Sequence, residues 1–314
     1  MSEEDVGEGV RAGGTGFQPV EALSPPQNTI PNNKAKMMLL KKLFTPVSSL
    51  EADAARVYLA EHPEGTYTLL DVRQPGEYEE SHLPGAKLVP LPQLNDSLGE
   101  LDPEKPTLVY CAIGGRSRVA AQLLSGYGFK EVYNLAGGIK AFQGLKATGP
   151  RELNLDLVRG DENPGEIIRL AYGMEKALQT FYDTLKAQTQ DRDLADLFMK
   201  LAAIEVQHQQ KLFNRYAALN PGAPARQAFE AAIITAILEG GYNFKEFLEK
   251  NQPLLHSPPD VLELALMLET QALDLYLRLA DKSTDRQSKE VLLALATEEK
   301  GHLAALGRLL EQKK

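Results

Sequence analysis

A shift of 94 residues, the distance from Glu175 to Glu269, lays the second half of this sequence onto itself. Tyr182 then meets Tyr276, Leu185 meets Leu279, and Asp191-Arg192 meets Asp285-Arg286. Leu201-Ala202 meets Leu295-Ala296, Glu205 meets Glu299, His208 meets His302, and Leu212 meets Leu306. Apolar residues recur at spacings of three and four through both copies, the period of a helix buried on one face. One helix pair used twice predicts four long helices between about 164 and 312. Gly- and Pro-bearing breaks at "NPGAPA" (220–225) and "NQPLLHSPPD" (251–260) separate the pairs. Between them, "RQAFEAAIITAILEGG" (226–241) is expected as one additional helix.

The repeated polar residues fall on the apolar faces. Phe198, Leu201, Ala202, Glu205, His208 and Leu212 share one face, as do Leu292, Leu295, Ala296, Glu299, His302 and Leu306. Glu175 lies in line with Leu178, Tyr182 and Leu185, and Glu269 with Leu262, Leu266, Leu273 and Tyr276. A buried carboxylate is costly unless paired or bound to a cation. Singly, each residue is better read as a surface glutamate or a satisfied core histidine. Together, one Glu from each of two helices and Glu-x-x-His from each of the other two form the ligand set of a carboxylate-bridged di-metal bundle. The predicted ligands are Glu175, Glu205, His208, Glu269, Glu299 and His302. Oxygen and imidazole donors suit iron or manganese, and zinc also fits them. Tyr182 and Tyr276, about two turns away, are read first as packing and second as hydrogen-bonding or electron-relay groups.

From about 45 to 145 the pattern alternates between helix and strand. "EADAARVYLAEH" (51–62) and "SRVAAQLLSGYG" (117–128) read as helices. "YTLLDVR" (67–73), "TLVYC" (107–111) and "EVYNL" (131–135) read as buried parallel strands, giving an α/β unit. A strand thus ends at Cys111, the one cysteine of the chain, and a helix starts near Ser117. Successive amides in such a turn, with the helix N-terminus, stabilise an anion or a thiolate at its centre. Gly114 and Gly115 permit the tight cradle, and Arg116 adds fixed charge. An isolated cysteine is more often buried and inert; the strand–Cys–Gly-Gly–Arg–helix setting favours a reactive one.

The segments "LLDVRQPGEYEESHLPGAKLVPL" (69–91), "VYCAIGGRSR" (109–118) and "GFKEVYNLAGGIKAF" (128–142) resemble the rhodanese family of sulfurtransferases in order and spacing. The resemblance implies a persulfide formed on Cys111 from thiosulfate or another sulfane-sulfur donor and passed to a thiol acceptor. It implies a substrate cradle of Ala112, Ile113, Gly114, Gly115 and Arg116, with Arg116 assisting catalysis. Asp71 and Arg73 would support the site, a structural ion pair being the competing reading. His82 is expected to hold a turn, and Phe142, where the family usually has tryptophan, to alter packing only. Cysteine phosphatases share such a cradle, but theirs is one residue longer than the four residues between Cys111 and Arg116.

Residues 164–312 resemble the ferritin-like superfamily, within it the rubrerythrin-like proteins. That implies a di-iron centre reacting with peroxide or oxygen. Two departures stand out: Ala272 occupies the place of an additional glutamate, and no cysteines remain for a rubredoxin-type iron site. Peroxidase-like activity would therefore need an external electron donor.

Net charge of −9 without a basic block argues against nucleic acid as a partner. No apolar run reaches the ~20 residues of a membrane span. A single cysteine excludes an intrachain disulfide and fits a reducing cytoplasm. Residues 1–36 read as a disordered tail without a signal peptide, and "MMLLKKLF" (37–44) as the lead-in to the first domain. His62 and His256 fall outside both constellations. The expected organisation is multidomain: tail 1–36, α/β rhodanese-like domain 37–146, linker 147–163, and an all-α ferritin-like four-helix bundle 164–314. The leading functional expectation is a sulfurtransferase fused to a di-iron oxidoreductase. The alternatives are a sulfur-carrier or redox-sensing module without turnover, whose bundle binds metal or forms a homodimer, and a metal-free bundle that only joins two copies.

Overall fold

The computed structural model describes residues 46–233, 237–252 and 255–313. The expectations for the tail 1–36 and for 37–44 lie outside them.

The first half is a five-stranded, wholly parallel sheet with strand order β1-β5-β4-β2-β3. The strands are β1 Ser48–Leu50, β2 Thr68–Asp71, β3 Lys87–Leu88, β4 Thr107–Tyr110 and β5 Val132–Leu135. The helices are α1 Ala52–Glu61, α2 Pro75–Glu80, α3 Gly115–Gly126 and α4 Gly138–Ala141. Every residue of β4 is buried, as expected of a parallel strand covered on both faces. Alternation sorts the side chains: Leu70, Val109 and Cys111 join Ala120, Ala121 and Leu124 of α3 in one core. Leu69, Leu108, Tyr110 and Leu135 join Ala55, Tyr78, Ile139 and Phe142 in the other. The edge strands β1 and β3 are too short to carry a periodic signal.

The second half is helical. Its long helices are α5 Pro164–Gln188, α6 Arg192–Leu219, α9 Pro258–Lys282 and α10 Arg286–Lys313. Their bounds repeat at the same offset of 94 residues, so the duplication seen in the letters extends to the element ends. Local caps explain the starts. Asn163 and Glu166 form a capping box, Asp191 accepts from Leu194 N–H, and Ser257 accepts from Asp260 N–H. Short turns of three residues join α5 to α6 and α9 to α10, which makes each pair antiparallel.

A single helix does not run through 226–241. The chain forms α7 Arg226–Ala231, a 3₁₀ turn at Glu239–Gly241, and then α8 Phe244–Asn251; residues 234–236 lie outside the description. Gly240 and Gly241 have φ of 73° and 85°, left-handed backbone that no α-helix continues through. A Cβ on Gly240 would also meet the Gln271 side chain at 2.7 Å, so the turn is held close against α9. Phe229 of α7 is anchored in the core by Tyr172, Phe213 and Tyr216.

The stretch 147–163 follows α9 as a strap. Thr148 N–H donates to Gln271 Oε1 at 3.0 Å, and Gln271 Nε2 returns a bond to Thr148 O. Arg278 donates to Leu153 O, and Lys282 to the carbonyls of Leu155 and Val158. Farther along the seam, Asp274 of α9 accepts from Gly85 N–H at 2.9 Å and from Arg278 Nε at 2.7 Å. Its other neighbour is His82 Nε2 at 3.3 Å, close enough for an ion pair but out of line for a hydrogen bond. His82 Nδ1 bonds Tyr78 O at 2.9 Å, and its amide bonds Ala147 O, so it does hold the turn. No described helix is long and apolar enough to cross a membrane.

Candidate functional site

β4 delivers Cys111 to the carboxyl edge of the sheet, and the chain turns at once into α3. Gly114, at φ 91°, caps that helix in a conformation L-residues rarely take. The Cys111 sulfur accepts from Gly114 N–H at 3.2 Å and lies 3.4 Å from Ser117 Oγ. Ser117 Oγ also lies 2.7 Å from Asn134 Oδ1, so its one proton has two acceptors. Burial pushes the thiol up; the Ser117 hydroxyl and the amides of Ser117, Ile113 and Gly114 outweigh it and hold the pKa below the ordinary cysteine value. The loop's outer side is braced by α4, where Ile139 N–H donates to Cys111 O at 2.8 Å and Lys140 N–H to Ala112 O at 3.1 Å. Cys111 is buried, whereas Ile113 at the crest of the loop is 68% exposed.

Arg116 does not stand alone. Its two terminal nitrogens donate to the two Glu77 oxygens at 2.7 and 2.6 Å. The bond from Arg116 lowers Glu77 to about 2. Glu77 also caps α2 by accepting from Gln74 N–H. Asp71 and Arg73 close on each other: Arg73 Nη2 reaches Asp71 Oδ2 at 2.7 Å, and Nε bonds both carboxylate oxygens at 3.0 Å. Both are buried, and Arg73 Nη2 also donates to Ser81 O. That is the geometry of a structural ion pair. Sequence reasoning missed Glu77, Ser117 and Asn134. Glu77 had a visible role in a helix start, but its pairing across 39 residues has no local signal.

In the bundle the structure brings the six predicted ligands together as two trios, Glu175–Glu205–His208 and Glu269–Glu299–His302. Within each trio one donor atom per residue lies within 4.8 Å of the others. His208 Nδ1 faces Glu205 at 3.0 Å and Glu175 at 3.3 Å; His302 Nδ1 faces Glu299 at 2.9 Å and Glu269 at 3.2 Å. The two imidazole rings stack at 3.7 Å between centroids and 7° between planes. All but His302 are buried, and His302 is nearly so. Burial raises Glu175 well above the carboxylate range and Glu205 to about 8. Burial also acts on Glu269, but Glu299 and His302 bond it and hold it low. Four buried carboxylates and two imidazoles aimed inward by the same nitrogen fit two cations with oxygen and nitrogen ligands. Tyr182 and Tyr276 are buried in the bundle core, the Tyr276 hydroxyl 3.9 Å from Met174 sulfur. Ala272 lies in the core.

The family model for the rhodanese-like domain matches residues 55–145. The thiosulfate sulfurtransferase GlpE of Coxiella burnetii (strain RSA 331 / Henzerling II) is 38% identical over 86 residues, 27% of this chain and 80% of that protein. Over its first half, the chain belongs to the rhodanese family. The rhodanese-like domain is also similar to the Rhodanese-like/PpiC domain-containing protein 12, chloroplastic, of Arabidopsis thaliana, 49% identical over 78 residues, and to the Uncharacterized protein YqhL of Bacillus subtilis (strain 168), 45% identical over 76. Each match covers 24% of this chain. The chain spans only 26% and 60% of those two proteins. The rubrerythrin model matches residues 260–314, which hold α9 from its third residue, α10 and the second trio. A rhodanese-like domain is therefore joined to a rubrerythrin, ferritin-like, domain in one chain.

Proposed function

We propose that this protein is a sulfurtransferase working through a persulfide on Cys111, with a di-metal redox centre in the attached bundle. The single observation that carries the reading is the Cys111 sulfur at the focus of the loop amides, with its thiolate form favoured. The thiolate attacks the outer sulfur of a sulfane donor, such as thiosulfate or a persulfide. The new Cys111–sulfur bond forms as the donor's sulfur–sulfur bond breaks, and sulfite or a thiolate departs with the electron pair. A thiol or cyanide acceptor then attacks the outer sulfur, and Cys111 leaves as the thiolate. The loop amides and the helix N-terminus stabilise the negative charge throughout. The cradle runs from Ala112 to Arg116, with Asp71 and Arg73 as its supporting pair.

In the bundle Glu175, Glu205 and His208 would hold one metal ion, and Glu269, Glu299 and His302 the other. Two iron ions there would supply redox chemistry toward peroxide or oxygen, and manganese or zinc would fit the same donors. Binding would displace the protons of the carboxylates and of the imidazole Nδ1 atoms that face them. With one cysteine in the chain, electrons come from an external donor. We assign the catalytic domain to 37–146, the connecting strap to 147–163 and the bundle to 164–314, and expect a cytoplasmic protein.

The test is thiocyanate formation from cyanide with thiosulfate or glutathione persulfide as donor. The wild type should turn over many times, and Cys111→Ser should not. A Cys111→Ser variant with wild-type turnover would overturn the reading. Uptake of one sulfur per chain without turnover would make the protein a carrier.

A further inference from the structure

The two guanidiniums of the site are each paired with a carboxylate. Of the two arginines that the sequence places at the site, Arg73 is locked on Asp71, and Arg116, which also acts on the Cys111 sulfur, lies end-on against Glu77, both of those bonds under 2.8 Å. Glu77 stays ionised at any working pH because Arg116 holds it near 2. Each guanidinium–carboxylate pair carries no net charge, and a closed pair attracts an approaching anion far less than a lone cation does. Thiosulfate brings two negative charges to a site that already holds a thiolate, and its sulfite leaving group keeps both. At the mouth of the loop stands Ile113, an apolar side chain 68% exposed, where a sulfonate would gain nothing.

We propose that the Glu77–Arg116 clamp tunes the Cys111 loop toward organic persulfides, R–S–SH, and against thiosulfate. The proposal rests on the sulfurtransferase reading above and names the donor class for that site. The step balances without a co-reactant. The Cys111 thiolate forms a bond to the terminal sulfur, the R–S bond to that sulfur breaks, and R–S⁻ leaves with the pair. The proton stays on the transferred sulfur. The reacting R–S–SH group carries at most one charge, which the loop amides suffice to meet. Glu77 touches no reacting atom; it is a positioning residue that acts through Arg116.

The experiment compares kcat/KM for glutathione persulfide and for thiosulfate, cyanide being the acceptor, in the full chain and in Glu77→Gln. The wild type should prefer the persulfide by about tenfold or more. Glu77→Gln frees a half-exposed cation and should lower KM for thiosulfate about three- to fivefold, an effect that added salt erases. A structural role alone would lower both rates together and leave the donor ratio and its salt dependence unmoved. A wild type that prefers thiosulfate, or a Glu77→Gln ratio equal to the wild-type ratio, overturns the proposal. Because Glu77 also caps α2, the wild-type donor preference and its inhibition by sulfite decide the matter if the variant does not fold. Weak inhibition by sulfite supports the clamp, and tight inhibition contradicts it. Absence of turnover with both donors would instead sink the underlying reading.

Discussion

His208 and His302, 94 residues apart, stack ring on ring at 3.7 Å with 7° between their planes. The duplicated helix pairs therefore meet at their own equivalent residues, and each imidazole faces the two carboxylates of its own pair. A symmetric site with one half from each repeat follows.

Two metal ions per chain are expected in protein grown with iron and purified without oxygen. Glu205→Ala should lose at least one of them, because it removes a donor from the first trio. Elemental analysis per chain decides it: equal metal in both proteins, or none in either, contradicts the di-metal centre.

Metal-free protein should lose stability as pH rises from about 5 to 8. Burial raises Glu205 from 4.5 to about 8 in the folded chain, so the folded state holds that proton more tightly than the unfolded one. Burial by itself would lower His208, yet its hydrogen bond to Glu175 raises it, and the sign is the same: stability present at low pH is lost on the way up. Thermal melts of chelated protein across that range should show Tm falling. Metal-loaded protein should be flatter, since bound cations replace the protons.

Alkylation of Cys111 by iodoacetamide should show a pH midpoint below that of an ordinary thiol, because Ser117 and the loop amides favour the thiolate over the opposing effect of burial. Ser117→Ala should move the midpoint upward and slow sulfur transfer at neutral pH. An unchanged midpoint would show that the amides act without the hydroxyl.

Gly138→Ala should cost about 3 kcal/mol in chemical denaturation, combining a left-handed backbone with a clash. Gly138 has φ 62°, and a Cβ there would meet Cys111 O at 2.3 Å and the Ala112 carbonyl at 2.6 Å. The same change displaces the loop, so sulfur transfer should fall with stability. Gly115→Ala, with nothing within 4 Å of an added Cβ and an ordinary φ, should be mild by comparison.

Asp274→Ala should cost about 3 kcal/mol by leaving Arg278, Gly85 N–H and His82 without their buried partner. Burial opposes its ionised form, but His82, Arg278 and Gly85 hold its pKa below the ordinary value. Its contribution is therefore present at neutral pH and lost as pH falls through the acid range below the unfolded value. Calorimetry should show the variant's single unfolding transition broadening or splitting, because this residue joins the α/β half to α9.

Spacing along the chain determined what depends on neighbours. The helix caps at Asn163, Asp191 and Ser257, the apolar faces of α5, α6, α9 and α10, and the strand–turn–helix around Cys111 are all local, set by periods of two or 3.6 residues and by single glycines. The six carboxylate and imidazole residues were legible for the same reason: a duplicated unit puts equivalent residues on equivalent faces. The break inside 226–241 was less so, because Gly240 turns where the chain must pass the Gln271 side chain, a neighbour from another helix. What faces what was decided only by packing. Arg116 read as a free cation until folding set Glu77 against it, and 147–163 read as a linker until Arg278 and Lys282 supplied donors for its carbonyls. Asp274 carried no signal in the letters, and His82, read as holding a turn, gave no sign of its neighbour on α9. Such pairings cost chain entropy that only the buried core repays, so they exist in the tertiary structure and nowhere in a local stretch of sequence.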